Sequence, residues 1–165
     1  IKNKTIAILN IGASMSNLNI LENGQPVLSR DIYIAGNNLT QKIQETVWVD
    51  SKPGDGLKPD IEKEKLNKLI IAAESVLSDL AKELRISFDF YESKNASSVS
   101  KIFLSGGVSK FTGLKDMLAN LLGIEVEYWD PLRQISIADS IDSKEPKALS
   151  SQLAVAVGLA LRKPH

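Results

Sequence analysis

The stretch "AILNIGASMSNLNIL", residues 7–21, decides the reading of the fold. Two runs of strand composition flank a tight turn, "NIGASMSN" (residues 10–17). Glycine and hydroxyl residues at such a turn can cradle a phosphate through backbone N–H and side-chain O–H groups. The same residues also make an ordinary hairpin turn. The first strand ends in Asn10, where a metal-using phosphate site is expected to carry an acid.

Working outward, the first third reads as a β-meander. "KTIAILNI" (4–11) is rich in β-branched and apolar residues, and "NLNILEN" (17–23) alternates in character. "QPVLSRDIYI" (25–34) follows an "ENGQ" turn. Asn-Gly between two such runs is a strong hairpin signal, so three antiparallel strands are expected. At "AGNNLTQKIQETVWV" (35–49) the period changes. Leu39, Ile43 and Val47 recur every four residues, which predicts a helix with Asn37 or Asn38 as N-cap.

"DSKPGDGLKPD" (50–60) is the clearest loop in the chain. A long helix follows with Asp60 as its expected N-cap. Its apolar stripe includes Leu69, Ile70, Ala73, Leu77, Leu80, Leu84, Phe88 and Tyr91, at core-packing spacing. Residues 50–94 could form a small inserted subdomain. Next, "KIFLS" (101–105) reads as a buried strand, Gly106-Gly107 as a turn, and Leu114, Met117, Leu118, Leu121 and Leu122 as a helix face ended by Gly123. "IEVEYW" (124–129) is a strand, parallel to its predecessor through a right-handed crossover. After a polar segment (135–147), "ALSSQLAVAVGLALR" (148–162) reads as one small-residue helix packed closely on a sheet. The order β-β-β-α-α-β-α-β-α predicts an α/β fold, a five-stranded mixed sheet with helices on its faces.

Bulk properties narrow the function. The 165 residues fit one domain and are 43% hydrophobic. Twenty basic and twenty acidic side chains cancel, so no net field draws in nucleic acid or an anionic membrane. Cysteine is absent and the single histidine is the last residue, His165, which removes thiolate chemistry and His-based catalysis. No apolar run approaches the roughly 20 residues of a membrane span. The first residue is Ile1, so the chain is expected to be a piece of something longer. Asp31, Asp50, Asp55, Asp60 and Asp89 form no recognisable catalytic set.

Two glycine-rich turns are left as candidate sites, "NIGASMS" and "LSGGVSKFTG". Each follows a strand, and the second opens a helix, an arrangement suited to an anion or nucleotide. Neither matches the P-loop or GxGxxG pattern.

Together they are more specific. Strand-xxGxSxS-strand, then meander, long helix and strand-SGGVSxxxG-helix is the layout of one lobe of the actin-like ATPase (ribonuclease H-like) superfamily. Within it the chain resembles the C-terminal half of the PilM family of type IV pilus assembly proteins, relatives of the cell-division protein FtsA. The blocks "AILNIGASMSNLNILENGQPVLSRDIYIAGNNLTQKI", "KIFLSGGVSKFTGLKDMLANLLGIEVEYWDPLR" and "LAVAVGLALR" carry the resemblance almost end to end. It implies that residues 1–165 are the C-terminal lobe of a two-lobed protein. It implies a second phosphate-binding loop at Asn10, Gly12, Ala13, Ser14 and Ser16, and an adenosine-lining turn at Gly106, Gly107 and Val108. ATP or ADP with Mg²⁺ is the implied ligand of the full-length protein, weakly held or not held by this lobe alone. The implied setting is cytoplasmic and peripheral to the inner membrane. The implied partners are a PilN-type membrane protein, mainly through the other lobe, and the pilus motor ATPase.

The chain departs from the family pattern at Asn10, usually Asp, and at Ala35-Gly36, usually Gly-Gly. A carboxylate can hold a Mg²⁺-bound water beside phosphates, whereas an amide offers one neutral oxygen. The resemblance therefore implies a scaffold linking motor to membrane platform, with ATP as a structural or regulatory ligand and little hydrolysis. An active ATPase or sugar-type kinase is the enzymatic alternative. The cytoplasmic domain of a type II secretion platform protein is another.

Overall fold

A computed structural model describes residues 4–48, 59–136, 138 and 149–162. The loop read at 50–60 lies outside these residues, apart from its last two, and so does nearly all of the polar segment after Gln134. Among the described residues the order is β1 (Thr5–Ile11), β2 (Ser16–Glu22), β3 (Gln25–Ile32), α1 (Gly36–Trp48), α2 (Pro59–Glu92), β4 (Lys101–Ser105), α3 (Leu114–Leu122), β5 (Glu125–Tyr128) and α4 (Ala154–Ala160). Short 3-10 turns occupy Gly107–Lys110 and Ser150–Gln152. No helix among these residues is long and apolar enough to cross a membrane.

The five strands form one sheet in the order β3-β2-β1-β4-β5. β1 pairs antiparallel with β2 and parallel with β4, and β4 pairs parallel with β5. The register sets Asn10 opposite Ser105. The two glycine-rich turns therefore leave the sheet side by side, at the C-terminal ends of neighbouring parallel strands.

Alternation along the strands puts Ala7, Leu9, Ile11, Leu18, Ile20, Ile102, Leu104 and Val126 into one core. Leu77, Leu80, Leu84, Phe88 and Tyr91 of α2 and Leu114, Leu118 and Leu122 of α3 complete it. Burying each large side chain contributes roughly 1.5–3 kcal/mol. The Asn23-Gly24 hairpin has both residues at positive φ, 53° and 83°, as a type I′ turn requires. Edge strand β3 accommodates Pro26 beside a register shift at Ile20/Leu21. Arg30 straps that edge to α2, donating to the Glu83 carbonyl (3.1 Å) and Ser87 Oγ (2.9 Å) and pairing with the Glu83 carboxylate.

Several expectations need correction. α1 begins at Gly36, so Asn37 and Asn38 lie inside its first turn. Ala35 takes the cap position, and Asn38 Oδ1 reaches back to accept the Ala35 N–H at 2.9 Å. α2 begins at Pro59, which leaves Asp60 within the helix; Pro suits a first helical position because it has no N–H to satisfy. Ile70 is exposed, and Ala72 takes its place in the buried stripe. On α3, Leu121 is exposed, because Leu114, Leu118 and Leu122 already fill the core-facing row.

The largest correction concerns the C-terminal helix. It divides into a 3-10 turn and a seven-residue α4 with no buried residue. Val155, Leu159 and Leu161 are exposed, and a Cβ on Gly158 would meet nothing within 4 Å outside its own helix, so close packing on the sheet is not observed. "AVAVGLA" is apolar all round and has no amphipathic stripe to orient it. The preceding turn is instead tied to Gly106, whose N–H donates to the Ser151 carbonyl at 2.7 Å.

Candidate functional site

The site forms where three segments meet above the ends of β1 and β4. Gly12 closes the first turn by donating its N–H to the Met15 carbonyl at 3.1 Å. This exposes Ala13, Ser14 and Met15. The Gly12 and Ala13 carbonyls accept the N–H groups of Gly36 (3.0 Å) and Asn37 (2.7 Å), the first two residues of α1. Asn37 Nδ2 also reaches Ser14 Oγ at 3.4 Å. The N–H groups of Ala13 and Ser14 have no hydrogen-bond partner among the described residues. Two adjacent free donors on an exposed turn suit an anion.

Ser16 behaves differently from Ser14. It is fully buried, and its hydroxyl donates to the Ile34 carbonyl at 2.6 Å. That bond pins the base of the turn to the chain just beyond β3, which ends at Ile32 opposite Ser16. Asn10 also sits below the exposed tip. Its side-chain oxygen lies against Gly106, which adopts φ 91°. A Cβ on Gly106 would collide with Asn10 Oδ1 and the Ile11 carbonyl. Gly106 is therefore the contact at which the two turns meet. Ser109, completely buried, donates its hydroxyl to the Gly106 carbonyl at 2.7 Å and tightens the 3-10 turn.

The third segment is the start of α1. A Cβ on Gly36 would come within 2.7 Å of Val108 Cγ2 and 3.2 Å of the Gly12 carbonyl. Between these segments lies a cleft of about 470 Å³. It is lined by Ala13 of the first turn, by Gly36, Asn37, Leu39 and Thr40 of α1, and by Gly107, Val108, Lys110 and Phe111 after β4. A lining that combines polar groups, one cation (Lys110) and the apolar side chains of Leu39, Val108 and Phe111 suits a ligand with an anionic part and an aromatic part. Among the described residues no carboxylate lines it, and they hold no group of three or more His, Cys, Asp or Glu able to bind a metal.

Of the residues expected from sequence, Ala13, Gly107 and Val108 line the cleft, and Gly12 and Ser14 build the turn at its rim. Asn10, Ser16 and Gly106 hold the framework beneath. Thr40, Lys110 and Phe111 were not foreseen. Lys110 and Phe111 follow directly in "SGGVSKF", where one 3-10 turn after the glycines brings them round to the cleft.

The resolved titration shifts lie elsewhere, at the start of β4. Lys101 is raised above its ordinary value by hydrogen bonds to Glu125 and then Glu127 of β5. Lys101 in turn holds the Glu127 carboxyl below its ordinary range.

Comparison with known proteins supplies context for this geometry. A family model described as type IV pilus assembly protein PilM matches residues 1–164. A solved PilM-PilN type IV pilus biogenesis complex contains a chain 27% identical, with a TM-score of 0.78, over 98% of this chain and 47% of that one. Ethanolamine utilization protein EutJ from Carboxydothermus hydrogenoformans is 14% identical with a TM-score of 0.63, over 96% and 48% of the two chains. MreB5 of Spiroplasma citri bound to AMPPNP is 16% identical with a TM-score of 0.57, over 97% and 53%. The last two likenesses concern the fold alone, the actin-like ATPase fold. The chain spans about half the length of each of these proteins.

Proposed function

The chain belongs to the type IV pilus assembly protein PilM family, and on that footing we propose that it is one lobe of an actin-like pilus assembly scaffold that holds a nucleotide as a structural or regulatory ligand. The observation that carries the ligand reading is the cleft itself. The Ala13 and Ser14 N–H groups have no partner among the described residues, Ala13 lines the cleft with Ser14 next to it in the turn, and Leu39, Val108 and Phe111 line it as well. Phosphates go to the Ala13–Ser14 turn and Lys110, and the nucleoside lies along Gly107 and Val108 with its base against Phe111.

Little or no hydrolysis accompanies this binding. Activating a water for phosphoryl transfer needs a base or a water-orienting group, and charge neutralisation at the phosphates is commonly supplied by Mg²⁺. No carboxylate among the described residues lines the cleft, and the Asn10 oxygen is packed against Gly106. In the full-length protein the second lobe closes over the phosphates. The solved relative assembled with PilN supports a PilN-type partner for this protein; an inner-membrane setting and the pilus motor ATPase as second partner belong to the same proposal.

Calorimetric titration of the full-length protein with ATP, alongside a phosphate-release assay, tests both parts. Binding without steady turnover is the expected result. Turnover that disappears in Asn10→Ala would sink the scaffold reading in favour of a true ATPase.

A further inference from the structure

The 3-10 turn Ser150–Gln152 reaches the candidate site from the C-terminal side. The Ser151 carbonyl accepts the Gly106 N–H at 2.7 Å, which holds the next residue, Gln152, beside the Gly-Gly turn. A Cβ on Gly107 would lie 3.8 Å from Gln152 Nε2 and 4.0 Å from its Cδ, with no other heavy atom within 4 Å beyond the chain neighbours. The Gln152 amide thus lies next to Gly107, a lining residue, just outside the cleft's own lining. Its side chain is exposed, and no hydrogen bond among the described residues engages it. Beside it the Ser151 hydroxyl, only 7% exposed, has no partner either. This turn is held by backbone and carries unused polar side-chain groups.

We infer that Gln152 is a specificity residue of the proposed nucleotide site, its amide hydrogen-bonding the sugar hydroxyls of a ribonucleotide. This rests on the nucleotide reading above. With phosphates at the Ala13 and Ser14 N–H groups and the base against Val108 and Phe111, the sugar falls beside Gly107. A primary amide both donates and accepts, which matches a pair of adjacent hydroxyls. The apolar residues of the cleft offer the sugar nothing comparable.

The test compares full-length protein and its Gln152→Ala variant, titrated with ATP and with 2′,3′-dideoxy-ATP. The variant is expected to bind ATP about three- to tenfold more weakly, the range of one or two lost hydrogen bonds. Its affinity for the dideoxy nucleotide is expected to equal that of the unaltered protein, with an unchanged melting temperature. Equal ATP affinity in both proteins overturns the inference while leaving the nucleotide reading intact. An equal loss for both nucleotides overturns the sugar assignment. Failure of the unaltered protein to bind either nucleotide overturns the site reading and this inference together.

Discussion

Gly106 rests on Asn10, and the space where a side chain would project from the glycine is taken by the Asn10 amide oxygen and the Ile11 carbonyl. This contact joins the two turns of the candidate site into one unit. Gly106→Ala adds both a collision and a residue at φ 91°. The expected cost is about 3 kcal/mol, from strain and overpacking together. At this chain length that lowers the melting temperature by roughly 6–12 °C. Gly24→Ala is the control, since Gly24 has positive φ but open space around it. Its expected cost is only about 1 kcal/mol. Thermal denaturation of the two variants separates crowding from backbone preference.

The two serines of the first turn separate framework from ligand contact. Ser16→Ala removes a buried hydroxyl and strands the Ile34 carbonyl, for an expected loss of about 1–2 kcal/mol in urea denaturation. Ser14 is exposed, and Ser14→Ala is expected to shift stability by less than about 0.5 kcal/mol. Nucleotide affinity of the full-length protein should fall in the Ser14 variant. An unchanged affinity there would remove Ser14 from the phosphate contacts.

Gly36 makes a further test, because helix propensity and cleft geometry pull in opposite directions. Alanine favours a helix over glycine by up to about 1 kcal/mol. Its methyl would also press into Val108 at 2.7 Å, against the cleft wall. Gly36→Ala is expected to leave the melting temperature within roughly 3 °C while weakening nucleotide binding several-fold. Calorimetry on the full-length variant reads the second quantity directly.

The Lys101–Glu125–Glu127 cluster gives a small pH dependence, with Nζ 2.9 Å and 3.0 Å from the two carboxylates. Glu127 is depressed from its ordinary 4.5, so its contribution is present above that pH and fades as pH falls through the folded value. Lys101 is raised above 10.5, so its contribution is present below that pH and fades as pH rises through the folded value. In low salt, the urea midpoint of Lys101→Met should lie slightly below that of the unaltered protein at neutral pH. The gap should close in acid and in strong alkali. A gap that persists in acid would instead assign the effect to the stem of Lys101 packing near Phe103, whose ring centre is 5.7 Å from Nζ.

The framework was legible because its signals are local. Asn23-Gly24 dictates its own turn, Gly123 ends α3 in the left-handed conformation, and the alternation around Leu9 and Leu104 fixes which strand faces are buried. The site was legible only in part. Ser14 and Ser16 look alike in "GASMS", and what separates them is the Ile34 carbonyl, 18 residues away. Ala35 was read as a departure from the family's paired glycines. Ala35 is buried without difficulty at 4% exposed, while Gly36 is the position with no room for a side chain. The helix expected at 148–162 is interrupted, for a related reason. The bond from Gly106 to Ser151, 45 residues apart, falls in the 3-10 turn before α4, and no spacing within "ALSSQLAVAVGLALR" records it.

The bonds from Gly36 and Asn37 to the Gly12 and Ala13 carbonyls also have a kinetic consequence. N–H groups in the first turn of a helix normally lack partners and exchange with solvent quickly. These two are latched to a surface loop, so their deuterium uptake reports how often that loop lifts from the helix. They form a built-in clock for the opening of the site, readable without any ligand.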